Sequence, residues 1–411
     1  MTNLFLITRS FFIIILSTLW GISLFFSVNK GTSQVDEILN RKQTVIKTED
    51  KWIDDIELML PKKIEALVGI PFRIYFENLI SVKDINLYEV EIKGIKAKKY
   101  RRYWELTPTV DQIGIHDISF ALYKNGKKDI LSSSNIKLFV SRPNHKGSLS
   151  NSVFTLLLIG DSMTHQSSVA NKLYKILDQQ LEGSIRFVGT HHPIPDFEFY
   201  EKPDPFVFHE GYGGWTWNRF ATHYKPEEAH IYNAPRSPFV FLGELGPELD
   251  IKRYFLEQNI VGGPDAIIFQ LGINDTFLLS PDDPKSMEIG LDQVINNARE
   301  LITSFHEAAP NSRIFVQTPP YFTKNTFVFD KKYGEAYGGV LRHQRIVAAL
   351  IKKMLEELSY LPKVKIIPTH LMLDRKEGYD LIDPGHPNHK GSMEQTWIIL
   401  ASLLNKLNQT P

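Results

Sequence analysis

The chain reads as an α/β protein, a parallel sheet covered by helices on both faces, with a small all-β sandwich ahead of it. Two observations predict this. Over residues 59–142, short runs alternate apolar and polar side chains between turn signals, the period-two pattern of half-buried strands. After residue 150 the period changes. Continuous apolar runs there alternate with segments whose apolar residues recur at helical spacing, as a parallel sheet under covering helices requires.

Taken in order, the N-terminus reads as a targeting segment. Arg9 precedes Phe11 to Val28, an uncharged run rich in Ile, Leu and Phe and close to the length of a membrane span. Gly31 and Ser33 have the small side chains of a cleavage site, but Lys30 intervenes. A signal anchor and a cleaved signal peptide both fit residues 1–29, and either places the rest outside the cytoplasm, membrane-anchored or secreted. Residues 30–58 read as a linker or stalk. In the sandwich segment, Phe72, Ile74 and Phe76 share one face of a strand, as do Ile118, Phe120 and Leu122. Lys124-Asn125-Gly126-Lys127 supplies an Asn-Gly hairpin turn, and Ile136, Leu138 and Val140 close the series. A linker at 143–150 follows, so the first 150 residues are expected to be dispensable for chemistry on a small ester.

From residue 151 the strands are Val153–Gly160, Ile185–Val188, Ala266–Leu271, Ile314–Gln317 and Val364–Ile367. Helices are expected between them: one carrying Val169, Ala170, Leu173, Ile176 and Leu177 on one face, then 286–307, 339–358 and about 389–408. The stretch 190–262, rich in Pro, His and aromatic residues, reads as elaborated loops over the site.

Bulk composition narrows the function. The 411 residues carry 47 Lys plus Arg and 47 Asp plus Glu, a net charge of zero that argues against nucleic acid or an anionic surface as the main partner. There is no cysteine, which excludes disulfides, a thiolate nucleophile, Cys-ligated metal and a lipidated Cys anchor.

Three short strings carry chemistry. Gly160-Asp161-Ser162 ends an apolar strand, where a serine is held on rigid backbone facing a cleft. Such a hydroxyl is a weak nucleophile until a base takes its proton. Asp383-Pro384-Gly385-His386 places a carboxylate three residues before an imidazole in a turn, so that Asp383 can hold Nδ1 and leave Nε2 for the serine. Asn388 caps the following helix. Gly272-Ile273-Asn274-Asp275 ends another strand with a side-chain amide able to donate to a developing oxyanion. A fourth string, Gly211-Tyr212-Gly213-Gly214-Trp215-Thr216-Trp217, offers bare backbone amides, with Trp215 and Trp217 as candidate platforms for a sugar ring.

Taken in chain order, from Gly160-Asp161-Ser162 through the glycine loop and Gly272-Ile273-Asn274-Asp275 to Asp383-Pro384-Gly385-His386, these four strings resemble the blocks of the GDSL or SGNH hydrolase family, over residues 151–411. The first block has Met163 where that family has Leu. The resemblance implies a three-layer α/β/α fold with a flavodoxin-like parallel sheet and a serine esterase activity. In it Ser162 is the nucleophile, His386 the base and Asp383 its orienting carboxylate, while the Ser162 and Gly214 amides and the Asn274 side chain form the oxyanion hole. The sandwich ahead of the catalytic domain is similar to arrangements in carbohydrate-active members. The expected substrate is therefore a carbohydrate ester, most simply an O-acetyl group, with no cofactor and no metal. A lysophospholipase or thioesterase is the nearest alternative. A metal-dependent phosphoesterase built on Asp161, His165, His191, His192, His209, His386 and His389 lacks any supporting metal motif. An ordinary α/β-hydrolase lacks its G-x-S-x-G elbow. A catalytically silent sugar-binding protein is the reading from another class.

Overall fold

A computed structural model describes residues 54–143, 153–181, 185–192, 204–227, 234–334 and 337–407. The expected targeting segment, most of the stalk and all but the first residue of the linker at 143–150 lie outside the described residues. All the described residues fall in one compact unit.

The first part holds two small sheets. Strands β1 (Lys63–Leu67), β2 (Phe72–Tyr75), β3 (Tyr88–Lys93), β4 (Lys98–Lys99), β5 (Tyr103–Leu106), β6 (Gly114–Lys124) and β7 (Ile130–Ser141) sort into a four-stranded sheet, order β1-β7-β6-β3, and a three-stranded one, order β2-β5-β4. The expected hairpin turn joins β6 to β7, with Ile118 opposite Ile136 and the Lys127 N–H donating to the Lys124 carbonyl. Alternation works as the period requires: Ile118, Phe120 and Leu122 on β6 and Ile136, Leu138 and Val140 on β7 are buried, while their neighbours face outward.

The second part is the α/β layer. Its elements are β8 (Phe154–Gly160), α1 (Ser162–His165), α2 (Ser168–Gln180), β9 (Ile185–Val188), β10 (Glu210–Gly211), α3 (Trp217–Thr222), β11 (Val240–Leu242), β12 (Pro247–Leu249), α4 (Ile251–Glu257), β13 (Ala266–Gln270), α5 (Pro284–Ala308), β14 (Arg313–Gln317), α6 (Thr326–Tyr333), α7 (Gly339–Glu357), β15 (Val364–Ile367), α8 (Thr369–Met372) and α9 (His389–Leu407). The main sheet is parallel throughout. β8 is flanked on one side by β13, then β14 and β15, and on the other by β9 beside its first half and β10 beside its end. Counted along the chain this is the 2-1-3-4-5 order of flavodoxin-like sheets, and its switch point lies between β8 and β13.

The strands are apolar on both faces because both are covered. Leu156, Leu158, Ile268 and Phe315 pack against Val169, Leu173 and Leu177 of α2 and Ile399 and Leu403 of α9. Leu157, Ile159, Ile267 and Phe269 pack against Leu291, Ile295 and Ala298 of α5 and Ile346 and Leu350 of α7. The first of these cores is continuous with the small sheets: Ile64, Phe120 and Leu138 belong to it. Truncating a fully buried member such as Leu156 to Ala would cost about 2–5 kcal/mol, transfer and cavity terms together.

The stretch 190–262 is only partly loop. It contains β10, the helices α3 and α4, and a β11–β12 hairpin. None of these was legible, because each is short and its apolar residues serve a local aromatic core rather than a regular period. Helix α6 was likewise not anticipated.

Candidate active site

Ser162 opens α1 immediately after β8. Asp161 caps that turn, its Oδ1 accepting the Met163 N–H at 3.0 Å. The strand must end on glycine. A Cβ at Gly160 would lie 2.0 Å from Thr164 Oγ1 and 2.9 Å from the Gln270 carbonyl, so any side chain there would push α1 off the sheet. The Thr164 hydroxyl in turn donates to Gln270 Oε1 at 2.8 Å, tying the serine-bearing turn to β13.

The structure brings Ser162, His386 and Asp383 together. His386 Nε2 lies 2.8 Å from Ser162 Oγ, placed to accept its proton, while Nδ1 donates to Asp383 Oδ2 at 2.8 Å. The turn holding the pair is built by the carboxylate itself. Asp383 Oδ1 accepts the N–H of Gly385 at 3.0 Å and of His386 at 3.1 Å, which fixes the backbone so that the imidazole folds back over its own aspartate. Gly385 is needed for close approach, since a Cβ would meet the Tyr333 hydroxyl at 2.7 Å. Burial alone would raise the Asp383 carboxyl. The hydrogen bond and charge of His386, with the ammonium of Lys332 at 2.8 Å, instead hold it well below the usual carboxylate range.

Two loops flank the serine. The end of β13 sits beside the end of β8, Gln270 opposite Gly160, and carries Asn274. On the other side β10 pairs Gly211 with Gly160 and leads into the glycine loop. Asn274 Nδ2 donates one hydrogen to the Trp215 carbonyl at 3.1 Å, which joins the two loops and leaves its second hydrogen available. Gly211 uses its own N–H on His209 Nδ1 at 3.0 Å, whereas Gly214 stands exposed at the turn with φ +74°. The Ser162 amide, first in α1, has no carbonyl one turn back within its helix.

Trp215 and Trp217 require a correction. Both are 0% exposed. Trp215 stacks on Tyr212 at 4.6 Å and Trp217 packs on Phe269 at 5.3 Å. An indole enclosed in the core cannot stack on a sugar, so these residues anchor the glycine loop from below and are not a substrate platform. Among the described residues, Leu381 and Ile382, which precede Asp383 in the chain, are apolar and exposed, at 78% and 59%.

The histidines weighed as metal ligands are spent on hydrogen bonds. His191 and His165 share one at 2.9 Å, His209 Nε2 donates to Ser167 Oγ at 2.9 Å, and His192 Nδ1 donates to the Val207 carbonyl at 3.0 Å. Burial, then the neighbouring His165 and His192, lowers His191 to about 4, and burial, then His191, His165 and His192, lowers His209. Asp161 is enclosed, and burial, with nearby Asp275, pushes its carboxyl up to about 7.

Several residues of the site were not anticipated. Glu210 is fully buried and accepts from the Thr190 N–H, the Thr190 hydroxyl and the hydroxyls of Tyr212 and Tyr254, all within 2.8 Å, which locks the strand that feeds the glycine loop. Lys332 lies in a run of surface charges, and nothing in its neighbours signals a partner 51 residues away. Glu210 could have been suspected only as a carboxylate inside an otherwise aromatic stretch.

A parallel sheet in 2-1-3-4-5 order, with this serine and amide at its strand ends and the Asp-x-x-His turn closing on the serine, defines the architecture. The fold is SGNH-hydrolase-like. No family model matches the chain, and no curated protein matches its sequence. Among solved structures the chain is similar to a carbohydrate esterase family 3 protein from Talaromyces cellulolyticus, at 18% identity over 63% of this chain and 100% of that one, with a TM-score of 0.39. It is also similar to the Clostridium thermocellum family 3 carbohydrate esterase, at 18% identity over 62% and 98%, TM-score 0.37. A third is a catalytic mutant of an acetylxylan esterase from Geobacillus stearothermophilus, at 18% identity over 62% and 94%, TM-score 0.33.

Proposed function

We propose that this chain is a serine ester hydrolase acting through Ser162, His386 and Asp383. The observation that carries the reading is the continuous chain Ser162 Oγ, His386 Nε2, His386 Nδ1, Asp383 Oδ2, with 2.8 Å at both hydrogen bonds. In acylation, Ser162 Oγ attacks the ester carbonyl carbon and its proton passes to His386 Nε2. The Ser162 and Gly214 amides and the free hydrogen of Asn274 Nδ2 receive the developing oxyanion. His386 then gives the proton to the departing alcohol. Water, deprotonated by the same imidazole, releases the acyl group and restores the serine.

For substrate we propose a carbohydrate O-acetyl ester. The support is the make-up of the loops flanking Ser162, where Gly213, Gly214 and Asn274 present no apolar side chain to a long acyl group. The apolar run Phe11 to Val28 supports export, either anchored or secreted; among the described residues no helix is long and apolar enough to cross a membrane. One observation favours a second reading, a longer-chain acyl hydrolase: exposed Leu381 and Ile382 offer apolar surface next to Asp383. A chain-length series of p-nitrophenyl esters separates the two. The acetyl reading expects kcat/KM to fall beyond butyryl and acetate to be released from acetylated oligosaccharides; a steady rise with chain length sinks it.

A further inference from the structure

The triad carboxylate has a partner that the reaction scheme does not use. Lys332 Nζ lies 2.8 Å from Asp383 Oδ1, the oxygen that takes the Gly385 and His386 backbone N–H groups rather than the imidazole. Both side chains are substantially shielded, Lys332 at 32% and Asp383 at 26% exposure. The contact is built in rather than casual. Lys332 lies in the last turn of α6, and the residue that ends the helix, Tyr333, anchors it on the triad turn: its ring stacks on Phe322 at 5.4 Å and its hydroxyl occupies the space above Gly385. The helix therefore delivers the ammonium to one side of the carboxylate while the turn delivers the imidazole to the other.

We propose that Lys332 is a positioning residue for this triad, holding Asp383 in the orientation that serves His386 and setting the pH range over which His386 works as the base. The proposal rests on the serine-hydrolase reading of the site. Two effects follow from one contact. The ion pair fixes the carboxylate rotamer, so that Oδ2 faces Nδ1 with no search. It also places a positive charge behind the carboxylate, opposing the imidazolium that forms when His386 takes the serine proton. The charged and titratable groups facing Asp383 are His386 on its own turn, Lys332 and Tyr333 on α6, and Tyr379 on the segment after α8. Burial raises both tyrosine hydroxyls far above the working range, so they stay neutral. Lys332 is thus the group whose removal changes the charge on Asp383's far side.

The test is the pH dependence of p-nitrophenyl acetate hydrolysis by the full chain, for the native protein, Lys332→Met and Lys332→Arg. Lys332→Met should lower kcat about 3–30-fold with KM within about two-fold, and should move the acidic limb of kcat/KM upward by about 0.5–1 pH unit, because the imidazolium is no longer opposed. Lys332→Arg keeps the charge and should keep the native limb. A loss of kcat in Lys332→Met with the limb unmoved would mean a merely structural contact and overturn the proposal. Should Lys332→Met fail to fold, Lys332→Gln carries the same expectation. Ser162→Ala, assayed alongside, separates the two levels. If that folded variant retains turnover, the serine reading itself fails; if it is inactive and the Lys332 limb is unmoved, only the role of Lys332 fails.

Discussion

At the scale of single residues, the chemistry is carried by a few short contacts whose loss has calculable effects. Ser162→Ala removes the nucleophile and should lower ester hydrolysis by roughly 10³-fold or more in a folded protein. Asn274→Ala removes an oxyanion donor and should lower kcat about 10²–10³-fold with KM little changed, because the donor acts on the transition state; a change confined to KM would make it a binding residue instead. Trp217 belongs to a different class. Its ring is enclosed against Phe269, so Trp217→Ala should cost about 3–5 kcal/mol in a denaturant titration while leaving KM for an acetylated oligosaccharide unchanged in the folded fraction. Ser162 and Asn274 were legible because strand-end motifs announce position and chemistry together, and the Asp383–His386 pair because an Asp three residues before a His in a Pro/Gly turn makes its own contact. The tryptophans were misread because an aromatic in a glycine-rich segment carries no mark of which way it points. Lys332 was illegible for the reason given by its distance along the chain: an ion pair between a helix end and a remote turn leaves no local pattern.

At the scale of elements, the turn bearing His386 is held from both flanks. The segment after α8 runs alongside it: the Asn388 N–H donates to the Gly378 carbonyl at 2.9 Å, and the Asn388 side chain donates to Glu377 at one end and accepts the Gly391 N–H at the other, capping α9. That segment is fixed in turn by the small sheets. Asn78 Nδ2 donates to the His370 and Leu373 carbonyls, Arg102 pairs with buried Asp374, and Tyr75 donates to Glu394 of α9. Burial would raise Asp374, yet Arg102, Lys390 and the Lys376 amide hold it down at about 2. Arg102→Ala should therefore destabilise the protein by roughly 1–3 kcal/mol, less than a fully buried pair because Arg102 is partly exposed. It should also lower kcat more than it raises KM, since the loosened segment is the one that seats His386; an unchanged midpoint and unchanged kcat would remove the coupling. The strands and long helices were readable from period alone. The contacts from the small-sheet part to the elements flanking the triad turn were not, since they join residues 272 to 319 positions apart.

At the scale of the whole molecule, one core runs from the small sheets through α2 and α9 into the parallel sheet. This revises the expectation that the first 150 residues are dispensable. A chain starting near Ser148 would expose the face of α9 that packs on β1 and β7, and should be recovered unfolded or aggregated. The buried histidines set a second global property. Burial first, then Arg375 and Arg342, lowers His343 to about 3, so its folded imidazole stays neutral where the unfolded one takes a proton near 6.5. Between those values the unfolded state binds more protons, and stability falls as pH falls. Asp161 and Asp275, raised by burial to about 7, act with the opposite sign, holding protons in the fold and losing stability as pH rises from about 4 to 7. The difference between native protein and His343→Gln isolates one group: the variant should gain relative stability by about 1.4 kcal/mol per pH unit on going from 6.5 toward 4. A pH-independent difference would remove His343 from the account. The central claim, that the three-residue chain at the switch point activates Ser162, is tested most directly by covalent labelling. A fluorophosphonate probe followed by peptide mass spectrometry should find the adduct on Ser162 in the native chain and at least about 10²-fold slower labelling in folded His386→Ala. An adduct on another residue, or equal labelling rates in the two proteins, would contradict it.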